Sequence, residues 1–452
     1  MEKNISDLFI DRIYETAVSA PDAALETEAR RCLLDFLGGA VGGASVLKEK
    51  VLQYLAFQPE CDGVTVINTG KKASLQNAAL LNGMLAHVFD IDDGNRLTSI
   101  HLGAPIIGAV LSVAEWKDLS FSDVFAGIIT GYEAANRLGK CLQPYHRKRG
   151  FHASGTCGTI GAALGVAAAL KFSREEMKTV LSAACTSASG ILEMQENRST
   201  LKPLNIGRAA HDAVTCALLV KSGFVGPDDP LMGKFGFLKA VADEMKPEFL
   251  TEDLPQNLTV LGSYHKVHAS CRHTHGAVDA ARKIFAEHPE KTPAMVSHIS
   301  IRMYEQGVKG HDHTVVESPV AGKMSIPFAV ALAIVKGSVG FTDFTDENIF
   351  DTEVQRIMKA SEVTVDEALT AQAPGIREAI VKVTFADGSE AQESVKFPKG
   401  EPEYPLTEED LRGKFADLTA CGSLDRAAAE NIADLVLGAP ADTKVRRLLQ
   451  DL

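Results

Sequence analysis

The stretch "HVFDIDDGNRLTSIH", from His87 to His101, places Asp90, Asp92 and Asp93 within four residues and a histidine at each end. Carboxylates this close repel one another unless cations, a metal ion or solvent compensate their charge. Taken alone, the stretch fits a solvated acidic turn. It also fits a magnesium-binding DxDD cluster of the kind that helical enzymes use to ionise diphosphates.

A second polar cluster, "PYHRKRGFHASGTCG", contains Arg147, Lys148 and Arg149 shortly before a helix start rich in small residues near His152. Backbone N–H groups at a helix start, together with adjacent cations, predict a site for an anion. The alternative interpretation is a solvated basic loop.

A third cluster, "LKPLNIGRAAHDA", places Lys202 just before a predicted helix that carries Arg208 and His211. Pro203 and the alanine-rich helix indicate a position near the core, where a lysine loses part of its basicity and can exchange protons. The alternative is an ordinary surface lysine.

The fourth cluster, "YHKVHASCRHTHGAVDA", has four of the chain's 13 histidines within 11 residues, together with Arg272. Histidine changes charge near neutral pH and is therefore suited to proton transfer. The HxH pair of His273 and His275 is compatible with a metal site. Because no carboxylate or cysteine accompanies it at a characteristic spacing, we predict no metal here.

Together the four clusters offer carboxylates, histidines, a lysine and arginines, without a nucleophile elbow, a phosphate loop or a cysteine-centred metal site. That set suits an anionic substrate held by cations while protons move at carbon or oxygen. Removing a proton next to a carboxylate builds negative charge, which prepositioned cations and N–H donors stabilise. Lyases and isomerases of carboxylic acids fit this chemistry best.

Composition narrows the class of protein. The 452 residues include 46 basic and 59 acidic ones, a net charge of −13 that argues against sequence-independent nucleic-acid binding. The eight cysteines include no CxxC pair, which predicts reduced thiols and a cytoplasmic location. We see no signal peptide, and the apolar runs are too short to span a bilayer, so no membrane association is expected.

Apolar residues repeat at helical spacing almost throughout the first 240 residues, whereas period-two alternation appears after residue 264. We predict a mainly α protein with an all-helical domain over 1–264, an α+β domain over 265–405 and C-terminal helices over 406–452 that return to the helical domain. The glycines of "SGTCGTIGAALG" do not spell GxGxxG, and we expect them to serve close helix packing.

The motifs, in their order along the chain, resemble the MmgE/PrpD family, which includes 2-methylcitrate dehydratase, cis-aconitate decarboxylase and iminodisuccinate epimerase. The resemblance covers about residues 30 to 415. It implies a large helical domain with a smaller α+β lid, a homodimer, and catalysis without metal or cofactor on a small-molecule carboxylate. The matching stretches include "LLDFLGGAVGG", "LLNGMLAHVFDIDD", "GFHASGTCGTIGAALGVAAAL", "LKPLNIGRAAHDAVTCALLVKSGFVGP" and "KVHASCRHTHGAVDA".

The resemblance also implies site residues by position. Lys202 or His101 is expected to remove the proton, while His275 or Asp90 protonates the leaving hydroxyl, and these assignments are interchangeable on spacing alone. The residues expected to bind substrate carboxylates are Arg147, Arg149, His152, Arg272 and His273.

Two positions depart from the family pattern. Gly94 stands where relatives commonly carry threonine, and Phe328 stands where the pattern has a tyrosine whose phenol can donate a proton. Our leading hypothesis is a lyase most like 2-methylcitrate dehydratase. The departures keep an epimerase, isomerase or decarboxylase of the same family open. A metal-dependent DxDD enzyme and a non-catalytic binding homologue are the alternatives from other classes.

Overall fold

The computed structural model describes residues 3–195, 199–450 and 452. Residues 196–198, which precede the third sequence cluster, lie outside the described residues. The chain divides into two units. The larger unit comprises Met1–Val88, Asp92–His265 and Thr407–Leu452, and the smaller comprises Phe89–Ile91 and Lys266–Leu406.

The larger unit begins with eleven helices among the described residues and one short hairpin. The helices are α1 (Ile5–Val18), α2 (Ala23–Ala56), α3 (Leu75–His87), α4 (Gly103–Lys117), α5 (Phe121–Leu142), α6 (Tyr145–Lys148), α7 (Ala153–Ala169), α8 (Arg174–Ser187), α9 (Lys202–Lys221), α10 (Phe237–Val241) and α11 (Glu248–Thr251). The hairpin consists of the antiparallel strands β1 (Val64–Val66) and β2 (Lys71–Ala73).

This hairpin is absent from the sequence prediction, which treats the region as helical throughout. Its strands are three residues long, too short for alternation to be visible in the sequence. The turn between them uses Asn68 (φ 55°) and Gly70 (φ 70°), residue types that tolerate the left-handed conformation.

Helix α5 begins with a capping box. Ser120 is the N-cap: it accepts a hydrogen bond from the Asp123 N–H, while the Asp123 carboxylate accepts from the Ser120 N–H. Such a capping box satisfies two backbone donors at once and fixes the first residue of the helix.

Helix α7, in which every residue is buried, packs closely on α5. A Cβ atom on Gly161 would lie 2.6 Å from the carbonyl oxygen of Gly131, so a larger residue would push the two helices apart. The prediction that these glycines serve helix packing is confirmed.

The smaller unit combines helices with a four-stranded sheet. Its elements are α12 (His275–Glu287), β3 (Val296–Met303), α13 (Glu305–Val308), α14 (Pro319–Met324), α15 (Ile326–Lys336), α16 (Asp346–Ile349), α17 (Thr352–Lys359), β4 (Ser361–Val365), α18 (Glu367–Gln372), β5 (Ala379–Phe385) and β6 (Glu390–Val395).

The strand order in this sheet is β4-β3-β5-β6, with β3 parallel to β4 and the other neighbours antiparallel. Strand β5 alternates buried and partly exposed residues, as expected for a sheet with one covered face, and α12 packs on β5 and β6. The turn at Asp387-Gly388 joins β5 to β6, with Gly388 at φ 82°.

The chain ends with three helices that belong to the larger unit, and α19 packs against α2. They are α19 (Glu408–Cys421), α20 (Arg426–Gly438) and α21 (Arg446–Leu449). The predicted fold class, a large helical domain with a smaller α+β domain, is confirmed. Among the described residues, no helix combines the length and the apolar character needed to cross a membrane.

Candidate active site

The three aspartates of the acidic stretch are buried: Asp90 is 5% exposed, Asp92 3% and Asp93 2%. The interpretation as a solvated acidic turn is therefore wrong. Each carboxylate has its own partners within its unit, and these partners, described next, compensate the charge.

Asp92 lies between two histidines of the larger unit. Its carboxylate is 2.9 Å from Nδ1 of His87, at the end of α3, and 3.2 Å from Nδ1 of His101. Burial alone would raise the pKa of Asp92, but the charges of His87 and His101 hold it well below its usual range. Asp92 thus stays ionised and orients His101, an arrangement typical of proton-transfer histidines.

Asp93 closes the loop that carries His101. Its carboxylate accepts hydrogen bonds from the Gly103 N–H at 2.7 Å and from the Tyr132 hydroxyl at 2.5 Å. The first bond caps the start of α4, where Leu102 contributes no side-chain cap. Burial raises the pKa of Asp93 to about 6. The loop is fixed further because Ser154 accepts a hydrogen bond from the His101 N–H at 2.9 Å.

His152 precedes α7 and is 7% exposed. Burial, and then the positive charges of His101, Lys202, His87 and Arg147, lower the pKa of His152 well below its ordinary value. His152 is therefore a neutral imidazole. The structure brings together four residues predicted from the sequence, His101, Arg147, His152 and Lys202.

Two details of the basic clusters differ from expectation. Lys202 is the first residue of α9 rather than a residue before it, and it is half-buried. Arg149 is exposed, and its guanidinium lies 3.1 Å from the Asp243 carboxylate. That position gives no support to a substrate-binding role for Arg149, whereas the half-buried Arg147 retains one.

In the smaller unit, Asp90 forms an ion pair with the buried Lys266. The Lys266 Nζ donates to both the backbone oxygen and Oδ1 of Asp90, each at 2.7 Å. Asp90 has φ +57°, a left-handed conformation that aspartate adopts more readily than most residues, and in it both oxygens face the same ammonium group. Lys266, absent from the predicted site residues, is thereby added to the candidate residues.

Arg272 and His275 are tied to other protein groups. The Arg272 guanidinium donates to Glu401 Oε1 from Nε at 3.0 Å and Nη2 at 2.9 Å, and from Nη1 to Nδ1 of His275 at 2.8 Å. His275 Nε2 lies 3.3 Å from the Ser270 carbonyl oxygen, and His275 is fully buried. Burial, and then the Arg272 charge, lower the pKa of His275 well below its usual value.

His273, in contrast, is only partly buried, and its Nδ1 lies 2.5 Å from the hydroxyl of the buried Tyr304. Sequence analysis missed Tyr304 because 31 residues separate the pair. It also left out His87, although this histidine opens the acidic stretch and lies five residues from Asp92. That spacing is the signal that identifies it.

Both positions that depart from the family pattern are buried. A Cβ atom on Gly94 would lie 2.5 Å from the Tyr264 hydroxyl and 2.6 Å from the Ile100 carbonyl oxygen, so a threonine does not fit there. Phe328 is fully buried in α15, beside Phe344 and Gly322 of the smaller unit. It is part of the core.

The group formed by His87, Asp92 and His101 is also a candidate metal site. The ligand-type atoms of His87, Asp92 and His101 lie within 4.8 Å of one another. Their spacings of 2.9 and 3.2 Å are those of hydrogen-bonded or ion-paired groups, so the cluster is held together by its own charges. A second group, Glu28, Cys32 and His265, has similar proximity.

Comparison with known proteins identifies the family of this chain. The model of the MmgE/PrpD N-terminal domain matches residues 9–250, and that of the C-terminal domain matches residues 268–439. Cis-aconitate decarboxylase of Aspergillus terreus is 26% identical over 459 residues, covering 95% of this chain and 92% of its own.

Two further relatives cover almost the whole chain. Cis-aconitate decarboxylase of Mus musculus is 24% identical, covering 96% of this chain and 91% of its own. The mitochondrial 2-methylcitrate dehydratase of Yarrowia lipolytica is 23% identical, covering 96% and 88%. Because both domain models match and together span most of its length, the chain belongs to the MmgE/PrpD family.

Proposed function

We propose that the protein is a lyase that acts on a small di- or tricarboxylate and needs neither a metal nor a cofactor. The observation that carries the proposal is Asp92 held between His87 and His101, beside a neutral His152. Its relatives, named as a decarboxylase and a dehydratase of tricarboxylates, support the substrate class.

In this proposal His101 moves a proton at the carbon next to a substrate carboxylate. Asp92 orients the imidazole and stabilises the imidazolium that forms, as a carboxylate does for other catalytic histidines. Neutral His152 is a hydrogen-bonding group for the substrate. Lys202 and Arg147 supply the positive charge that attracts carboxylates and stabilises charge developing on their oxygens.

The acid role in the smaller unit falls better on Asp90 and its partner Lys266 than on His275. Both ring nitrogens of His275 face protein groups, Arg272 and the Ser270 carbonyl, and burial keeps the ring neutral. We therefore propose His275 as a residue that positions Arg272. Carboxylate binding by Arg272 remains a prediction. Because Arg272 is paired with Glu401, part of its positive charge is already compensated.

Two finer reactions share this proton chemistry. Dehydration of a hydroxytricarboxylate of the 2-methylcitrate type is the leading candidate. Decarboxylation of a cis-aconitate-like substrate is the second, favoured by the names of relatives at 24–26% identity over almost the whole chain. Dehydration releases an alkene, whereas decarboxylation forms a carbanion that rearranges and is protonated before release. Neither reaction includes a redox step.

The test is to incubate the purified protein in D2O with 2-methylcitrate and with cis-aconitate carrying a ¹³C-labelled carboxyl group, and to follow both by NMR. New alkene signals without labelled CO2 indicate dehydration, whereas labelled CO2 indicates decarboxylation. Deuterium incorporation with neither product indicates an epimerase. An enzyme without turnover or exchange on any tricarboxylate contradicts the proposal, and loss of activity in EDTA contradicts its metal independence.

A further inference from the structure

A cysteine–histidine pair lies in the smaller unit and has no part in the reaction proposed above. Cys271 directly precedes the 3₁₀ turn Arg272–Thr274 and is partly exposed, whereas His311 is 2% exposed. The Cys271 Sγ lies 3.2 Å from Nε2 of His311. Sulfur and imidazole are thus in hydrogen-bonding contact.

The orientation of the His311 ring is fixed on its other side. Nδ1 lies 3.1 Å from the Lys309 carbonyl oxygen, which can only accept a hydrogen bond, so Nδ1 carries a proton. Nε2 is then the nitrogen that takes the thiol proton, and the product is a thiolate beside an imidazolium. A carbonyl thus orients the base, and the base activates the sulfur.

The surrounding charges favour the ionised pair. Burial raises the pKa of Cys271, but the charge and hydrogen bond of His311 lower it to about 6, helped by Lys266 and opposed by Asp90. The His273 ring lies 5.0 Å from that of His311. Elsewhere burial dominates: it raises the pKa of Cys141 and of Cys157 to about 12.

We propose that Cys271 and His311 form a reactive thiolate–imidazolium pair, and that Cys271 is a site of reversible oxidation by hydrogen peroxide. The thiolate attacks one peroxide oxygen, an S–O bond forms and the O–O bond breaks. The departing hydroxide takes the His311 proton and leaves as water. Sulfur is oxidised by two electrons to the sulfenic acid and the peroxide is reduced.

The first experiment measures which thiol reacts and at what pH. The full-length protein is treated with limiting iodoacetamide between pH 5 and 9, and labelled peptides are quantified by mass spectrometry. We expect Cys271 labelling to rise with a midpoint near pH 6. Cys61, which is exposed, is the control thiol, and its labelling is measured in the same samples.

The His311→Asn variant tests the partner. Its labelling midpoint at Cys271 should move up by about two pH units or more, because the imidazolium is gone. The midpoint decides rather than the rate at one pH, since a thiolate of lower basicity is also a weaker nucleophile. His311→Gln, with a longer amide side chain, serves as a second variant, and circular dichroism confirms that both are folded.

The second experiment adds hydrogen peroxide and then dimedone, which traps sulfenic acids. A dimedone adduct on Cys271, prevented by dithiothreitol treatment before trapping and absent in Cys271→Ser, is the expected result. A wild-type midpoint at Cys271 of 8 or above overturns the proposal even if neither His311 variant folds. So does an unchanged midpoint in a folded variant, or an adduct that forms on Cys61 instead.

Discussion

Two groups of polar side chains, one in each unit, are assembled in opposite ways. His87, Asp92 and His101 of the larger unit come from a single 15-residue stretch. In the smaller unit, Lys266 and Asp90 are 176 positions apart, and Arg272 and Glu401 are 129 apart. The first group depends on one loop, whereas the second depends on the fold of its unit. Changes to the first should therefore cost activity, and changes to the Arg272–Glu401 pair of the second should cost chiefly stability.

The largest expected effect comes from breaking the local group. Asp92→Asn preserves the shape of the side chain but removes the charge that orients His101 and stabilises its protonated form. We expect a loss of roughly 10²–10⁴-fold in kcat/KM, the usual range for general acid–base catalysis. His101→Asn should fall in the same range. Steady-state kinetics on the substrate identified by NMR are the measurement.

Glu401→Gln is the matched control for a buried carboxylate outside the histidine group. If Asp92→Asn keeps its activity within a few fold of wild type, Asp92 has no role in proton transfer. Thermal unfolding of Asp92→Asn distinguishes a loss of catalysis from a loss of folding. A variant that is folded but inactive has lost a step of the reaction rather than its structure.

Breaking the Arg272–Glu401 pair of the smaller unit should lower stability instead. Arg272→Met removes the guanidinium that pairs with Glu401, a carboxylate only 3% exposed. Such a change typically costs about 3–5 kcal/mol. Urea-induced unfolding, followed by circular dichroism, should show a midpoint shifted to lower urea.

The double variant Arg272→Met/Glu401→Leu removes both charges and should recover much of that loss, since replacing a buried ion pair with apolar groups is often neutral or better. A double variant as unstable as the single one would show that Arg272 contributes through its contact with His275 rather than through the ion pair.

The same contrast explains which features of the fold and site could be predicted from the sequence. The resemblance to the family implied Asp90 and His101 by position. Helical periodicity predicted α5, α7 and α9, and the density of carboxylates singled out the acidic stretch. These signals lie within a window of about 20 residues, over which local sequence and structure are directly linked. The predicted membership of Arg149 in the site rested on its neighbours along the chain, and it is exposed.

Partners that meet only in the folded chain left no such signal. Tyr304 beside His273 and Glu401 beside Arg272 belong to this class. Gly94 is another case: its departure from the family pattern was visible in the sequence, but its cause, the hydroxyl of Tyr264, is 170 residues away. Sequence spacing identifies residues able to do chemistry, and packing decides which atoms they face.

A smaller effect is expected from a long-range group of the larger unit. His265 is 3% exposed, 2.7 Å from Glu28 and 3.5 Å from Asp35. Burial lowers the pKa of His265, but hydrogen bonds and charges of Asp35 and Glu28 raise it to about 9. Because the folded-state pKa exceeds the unfolded value of about 6.5, this stabilisation is complete below pH 6.5 and is lost as pH rises through 9.

The contribution at stake is about 3 kcal/mol, the free-energy equivalent of a pKa raised from 6.5 to about 9. Wild-type thermal midpoints should fall between pH 6.5 and 9.5 more steeply than those of His265→Gln, whose side chain does not titrate. Parallel pH profiles for the two proteins would show that His265 is not charged in the folded state.

The smallest effect tests a contact between the local loop and a distant residue. A methyl group on Gly94 would come within 2.6 Å of both the Tyr264 hydroxyl and the Ile100 carbonyl oxygen, so Gly94→Ala should cost about 1–3 kcal/mol through overpacking. Tyr264→Phe/Gly94→Ala relieves the first clash but not the second, and should regain only part of the loss. Because Ile100 adjoins His101, kcat/KM should fall further than stability alone explains. A Gly94→Ala protein with wild-type stability and activity would mean that the loop shifts freely, and that Asp93 and Ser154 alone hold His101.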